Sequence, residues 1–235
     1  MGDAPSRPNI VFVMADDHAA HAIGAYGSRI NATPGIDRLA AEGMRFDACF
    51  CTNSICSPSR ATILTGTYNH VNGVTTLATP FDARQATFPG MLRDAGYQTA
   101  LLGKWHLGHG GVSDPTGFDY WTVLPDQGDY HDPTFLEEGG RAVVRRGYAT
   151  DIITDLALDW IVERDRERPF CALVHHKAPH RAWEPAPRHA ALYDDRDIPE
   201  PETLRDDYVG RSTAAVEARM RMWDLNEEDL KGIVP

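Results

Sequence analysis

Long apolar runs are missing from this chain of 235 residues, as are an excess of positive charge, a rich cysteine complement and any internal repeat or low-complexity tract. No apolar stretch approaches the roughly 20 residues that a helix needs to cross a bilayer. The opening Met1-Gly2-Asp3-Ala4-Pro5-Ser6-Arg7-Pro8 lacks the charged-then-apolar form of a secretory leader, and the apolar run at residues 10–15 is short and ends in acids. As given, the chain therefore reads as cytoplasmic, with a periplasmic or secreted location left open. Basic residues number 23 against 34 acidic ones, a formal charge of −11. That balance argues against nucleic acid or an anionic membrane as the main partner. It does not prevent local binding of an anion by a metal, a helix end and a few fixed cations.

Cysteine is scarce, at positions 49, 51, 56 and 171. The C-x-C-x4-C spacing of the first three is not that of a zinc knuckle. Cys49 and Cys171 are expected to be buried free thiols, which leaves Cys56 as the exception. Hydrophobic residues at 42% and charged residues at 24% fit an ordinary globular protein with room for a core.

Residues 9–14 form a β-branched apolar run, expected as a strand covered on both faces and ending at Asp16-Asp17-His18. Pro34–Glu42 is expected as a short helix capped by Thr33 and stopped by Gly43. Residues 44–51 alternate loosely and suggest a second strand. A helix over 88–95 and a strand over 97–103 follow, the latter delivering Lys104-Trp105-His106. Residues 108–147 read as a long loop region with a short strand at 118–123. Ala149–Glu163 has the clearest helical period, with Ile152, Ile153, Leu156, Trp160 and Ile161 on one side. Phe170–His175 is a further buried strand, leading into His176-Lys177-Ala178-Pro179-His180. Prolines at 185, 187, 199 and 201 mark an extended stretch, followed by helices over 212–223 and 227–231. The alternation predicts an α/β fold with a mostly parallel central sheet and helices on both faces. Residues 8–180 would carry the core and the motifs, and 181–235 an extended Pro-rich segment with a helical tail. The closing Gly232-Ile233-Val234-Pro235 ends without a further strand, as if partway through such a layer.

The most informative segment is Cys56-Ser57-Pro58-Ser59-Arg60, followed by Ala61-Thr62-Ile63-Leu64-Thr65-Gly66. Pro58 is expected at the first helical position with Ser57 as N-cap, which places the Cys56 thiol at the positive end of a helix. Three other strand ends deliver polar groups: Asp16 with Asp17, Lys104 with His106, and His180. Each has a plain alternative: solvated turn acids, surface decoration around a buried tryptophan, and a satisfied core histidine.

Taken together, these segments resemble the type I, formylglycine-dependent sulfatases of the alkaline-phosphatase-like superfamily. The resemblance runs over Pro8-Asn9-Ile10-Val11-Phe12-Val13-Met14-Ala15-Asp16-Asp17, Thr33-Pro34-Gly35-Ile36-Asp37-Arg38-Leu39-Ala40, residues 56–66, Gly103-Lys104-Trp105-His106-Leu107-Gly108 and Lys177-Ala178-Pro179-His180. It implies that Cys56 is oxidised to formylglycine by a maturation enzyme and that the aldehyde hydrate attacks the sulfur of a sulfate ester. It further implies that Asp16, Asp17 and residue 56 ligate Ca²⁺, or Mg²⁺ as a variant. In the same way Arg60 would hold the hydrate, Lys104 would bridge it to sulfate, His106 would take its proton, and His180 would contact the sulfate or the leaving oxygen. Asp16-Asp17-His18-Ala19-Ala20-His21-Ala22-Ile23, Ala25-Tyr26-Gly27 and Arg205-Asp206-Asp207-Tyr208 look like bacterial carbohydrate sulfatases of the N-acetylglucosamine-6-sulfatase type. A sulfated sugar or other small sulfate ester is the implied substrate. Family members run further than this chain, and their later part adds more metal ligands and a second lysine, so the resemblance implies an N-terminal part. The alternatives are a phosphonate monoester or phosphodiester hydrolase of the same superfamily, and a non-catalytic truncated chain.

Overall fold

The computed structural model describes residues 7–219 and 221–230. Six strands make one sheet: β1 (Ile10–Met14), β2 (Gln98–Lys104), β3 (Tyr120–Leu124), β4 (Thr134–Glu137), β5 (Arg141–Val144) and β6 (Phe170–His175). Their order is β1-β6-β2-β3-β4-β5. The pairs β1–β6, β6–β2 and β2–β3 are parallel, and β3–β4 and β4–β5 are antiparallel. The helices are α1 (Pro34–Glu42), α2 (Cys56–Thr65), α3 (Asn69–Asn72), α4 (Phe88–Asp94), α5 (Ala149–Glu163), α6 (Thr213–Glu217) and α7 (Glu227–Leu230).

The chain forms two compact units. One comprises the residues through His18 together with Arg38–Pro179 and contains the whole sheet; the other comprises Ala19–Asp37 and the residues from His180 onward. In the first unit every residue of β2 and β6 is buried, because helices cover both faces. Leu101, Cys171 and Leu173 face Ala61 and Leu64 of α2, Val74 and Phe81, with Leu92 of α4 packed alongside. Ala100, Leu102 and Val174 face Ile153 and Ala157 of α5 on the opposite side. The period-2 alternation of the strands thus sorts neighbouring residues into two cores. In the second unit Tyr193 Oη donates to Asn31 Oδ1 at 2.8 Å, and Arg181 pairs with the buried Asp229.

Several expectations are corrected. β1 lies at an edge, and Val11 and Val13 are 52% and 61% exposed rather than covered. Residues 44–51 form no strand; Met44, Phe46 and Phe50 point outward, and loose alternation without a partner strand does not hold a ladder. The region 108–147 contains, besides β3, the hairpin β4–β5, which turns at Gly139 and Gly140 with φ of 79° and 77°. Thr33 does not cap α1 with its side chain; its Oγ1 accepts from Gly24 N–H at 2.8 Å and donates to Asp37. Cys49 is exposed, whereas Cys171 is buried as expected. The expected helix over 212–223 is reduced to α6 and a separate 3-10 turn at Met222–Asp224. Residues 232–235 lie outside the described residues, as does Lys231 of the expected last helix.

Candidate active site

Cys56 is the first residue of α2, with Ile55 in extended backbone as its N-cap. Ser57 does not cap the helix. Its Oγ donates to the His106 carbonyl at 2.7 Å and ties the start of α2 to the segment after β2. Pro58 sits inside the first turn, where its missing N–H costs nothing. Buried Asn69 locks that turn, its Nδ2 donating to the Pro58 and Val74 carbonyls, both at 2.8 Å.

Asp16 follows β1 and is buried. Its backbone N–H donates to the Ala178 carbonyl at 3.1 Å, which holds the loop after β1 against the loop after β6. The Asp16 carboxylate is the centre of the cluster. One oxygen pairs with Lys104 Nζ and lies 3.6 Å from Arg60 Nη2, and the other accepts from the Cys56 thiol at 3.7 Å. Asp17, next in the chain, is exposed and adopts φ 60°, a left-handed conformation uncommon outside glycine. Arg60, one turn into α2, donates from Nη1 to the Lys104 carbonyl at 2.6 Å. Lys104 ends β2 with its side chain fully buried and donates to both Asp16 and Gln127 Oε1. Two cations thus converge on one carboxylate, all three side chains being buried, where an unpaired charge would be costly.

The electrostatics follow from this packing. Burial lowers the pKa values of Lys104 and Arg60, and Asp16 opposes the change in both. Burial also raises the Cys56 thiol; Asp16 and Asp17 push it further up, while Lys104 and Arg60 pull it down. As a thiol, residue 56 is therefore a poor nucleophile at neutral pH. His106, two residues beyond Lys104, has φ 52° and a buried Nδ1 with no hydrogen-bond partner among the described residues. Burial, helped by Lys104 and Arg60, lowers its pKa to about 4, so the ring is neutral at pH 7 and able to accept a proton. Trp105 anchors the segment, its Nε1 donating to the Ser113 carbonyl at 2.9 Å.

The donor set suits a hard divalent cation. Asp16 and Asp17 offer carboxylate oxygens, and both add to the burial that disfavours the anion of residue 56. A cation held there by Asp16, Asp17 and an oxygen at position 56 would reverse that effect. Within the first unit the fold therefore gathers Asp16, Cys56, Arg60 and Lys104 in direct contact, with Asp17 and His106 adjacent. His180 opens the second unit, buried, with its Nδ1 2.6 Å from the Arg181 carbonyl. The sequence reading missed two neighbours of Lys104. Gln127 lies in a Gly/Asp-rich stretch without periodicity, and His175 reads from the sequence only as the end of a strand. Neither carries a local motif.

A family model described as Sulfatase matches residues 8–222. The N-acetylglucosamine-6-O-sulfatase of Bacteroides thetaiotaomicron is 49% identical over 239 residues, covering 96% of this chain and 42% of that protein. Arylsulfatase G of Rattus norvegicus is 42% identical over 130 residues, covering 52% of this chain and 25% of that protein. A solved structure of a protein in complex with its substrate, D-glucosamine-2-N,6-O-disulfate, superposes with a TM-score of 0.91 at 49% identity, covering 97% of this chain and 46% of the other. The chain thus spans less than half the length of these relatives.

Proposed function

Because this chain belongs to the sulfatase family, we propose that its site serves the hydrolysis of sulfate monoesters on sugars, with 6-O-sulfated amino sugars as the favoured class. The observation that carries the proposal is the contact of Cys56, at the start of α2, with Asp16, which Arg60 and Lys104 flank. The similarity to a glucosaminide sulfatase over almost the whole chain supports the sugar assignment.

In this reading, formylglycine made from Cys56 by a maturation enzyme supplies an aldehyde hydrate as nucleophile, and a calcium or magnesium ion held by Asp16, Asp17 and residue 56 supplies positive charge for the sulfate oxygens. Arg60 and Lys104 add fixed positive charge that needs no reorganisation during the reaction, since both are already held by Asp16 and by the strand ends. His106, neutral at pH 7, takes a proton from the hydroxyl at position 56.

The test is coexpression with a formylglycine-generating enzyme, mass analysis of the peptide containing residue 56, and assay on glucosamine 6-O-sulfate. Turnover is expected only in the converted fraction. Equal turnover by the unmodified thiol would overturn the proposal.

A further inference from the structure

We propose that His175 is a positioning residue for this site: together with Arg60 it holds the Lys104 backbone carbonyl, so that Lys104 and His106 leave β2 in a fixed direction. This inference rests on the sulfatase reading for its link to catalysis.

His175 is the last residue of β6 and is 2% exposed. It lies opposite Gly103 in the parallel ladder, one residue before Lys104. Its Nδ1 is 3.2 Å from the Lys104 carbonyl, which also accepts Arg60 Nη1 at 2.6 Å. A carbonyl can only accept, so Nδ1 carries the proton and both lone pairs of the Lys104 oxygen are used. Nε2 is then a bare acceptor, and it has no hydrogen-bond partner among the described residues. The ring stands edge-on to Phe12, with centroids 5.9 Å apart. The charged and titratable groups that act on it are Arg60, His176 and Asp16; burial keeps it neutral, with a pKa lowered to about 3.

Packing alone does not account for this residue. A phenylalanine would fill the space without burying an unpaired nitrogen, which carries a desolvation cost. The second donor on the Lys104 carbonyl is what histidine adds. It joins the ends of β6 and β2 and the Arg60 helix at a single oxygen. Beyond that oxygen the chain runs directly to His106, whose own carbonyl is held by Ser57. The approach of the strands here is close, since a Cβ on Gly103 would lie 2.0 Å from the His175 carbonyl oxygen. A small change in His175 is therefore transmitted to Lys104.

The experiment uses the ¹⁵N-labelled full chain with His175→Asn, which keeps an N–H near the Nδ1 position, and His175→Phe, which does not. Long-range imidazole correlations at pH 7 are expected to show the Nδ1–H tautomer for the ring signal lost in both variants. The Nε2–H tautomer or an imidazolium would overturn the inference. The Trp105 amide, which shares its peptide group with the Lys104 carbonyl, should shift in His175→Phe and much less in His175→Asn. Equal shifts would also overturn it. In the converted protein His175→Phe should lower kcat by about tenfold to hundredfold with KM nearly unchanged, and His175→Asn should recover most of the loss. Equal loss in both variants, tracking their urea stability, would reduce His175 to a structural role. A wild-type chain that hydrolyses no sulfate ester would remove the catalytic reading, and the tautomer and amide shifts would still decide whether His175 holds Lys104.

Discussion

Asp16 balances the charges of the site, and its substitution separates two effects. Asp16→Asn leaves Lys104 and Arg60 buried without their counter-charge, so a loss of about 3 kcal/mol in urea unfolding is expected. The same change removes the nearest carboxylate from the Cys56 thiol, which lowers its pKa and should speed alkylation of Cys56 at pH 7–8. Slower alkylation would contradict the arrangement. Asp17 is exposed but left-handed, with φ 60°, so Asp17→Ala should cost only about 1 kcal/mol of stability. It should nevertheless sharply weaken calcium binding in calorimetry, and unchanged affinity would remove Asp17 from the ligand set. The residue types at 16, 17, 56, 60, 104 and 106 were legible in the sequence because each stands at the end of a recognisable strand or the start of a helix. Gln127 was not legible, because its part depends on where the loop after β3 meets Lys104.

β2 and β6 are the central elements, and the contact between them is set by a glycine. Gly103 has φ 101°, and an added Cβ would collide with the His175 carbonyl oxygen. Gly103→Ala is therefore expected to cost more than about 4 kcal/mol in chemical denaturation. A loss below about 1 kcal/mol would mean that the strands can separate locally. At this scale the sequence was readable where one period dominates. β6 and α5 match their expected bounds, and β2 lies one residue from them, since an unbroken apolar run or a strong 3.6-residue repeat leaves few alternatives. β4 and β5 were hidden within a polar stretch, because short hairpin strands such as Arg141–Val144 carry too little pattern. The run at 44–51 shows the reverse error, alternation without a neighbouring strand to pair with.

For the whole molecule, the open edge has consequences. Among the described residues β1 pairs only with β6, and it exposes Val11 and Val13. An apolar edge strand favours association with other chains. Val13→Lys should therefore reduce concentration-dependent self-association in sedimentation velocity, with little change in unfolding midpoint. Acid should also destabilise the fold. Burial first among their causes, the pKa values of His175 and His106 are lowered to about 3 and about 4, and that of His176 is lowered as well. From about pH 6.5 down towards these values the unfolded chain binds more protons than the folded one, so stability falls as pH falls. Urea midpoints should drop between about pH 6.5 and pH 4.5, and a flat profile would contradict the burial of neutral imidazoles.

The sequence by itself determined the α/β alternation and the segments that carry the reactive residue types, because apolar periodicity and motif spacing are properties of short stretches of chain. It also pointed to the sulfatase family, to which the chain belongs. Only the tertiary structure decided that β1 is an edge strand, that Ser57 binds the His106 carbonyl instead of capping its helix, and that Lys104 is shared by Asp16, Gln127, Arg60 and His175. These arrangements join residues dozens of positions apart, and no local pattern encodes a contact that exists only once the strands are side by side.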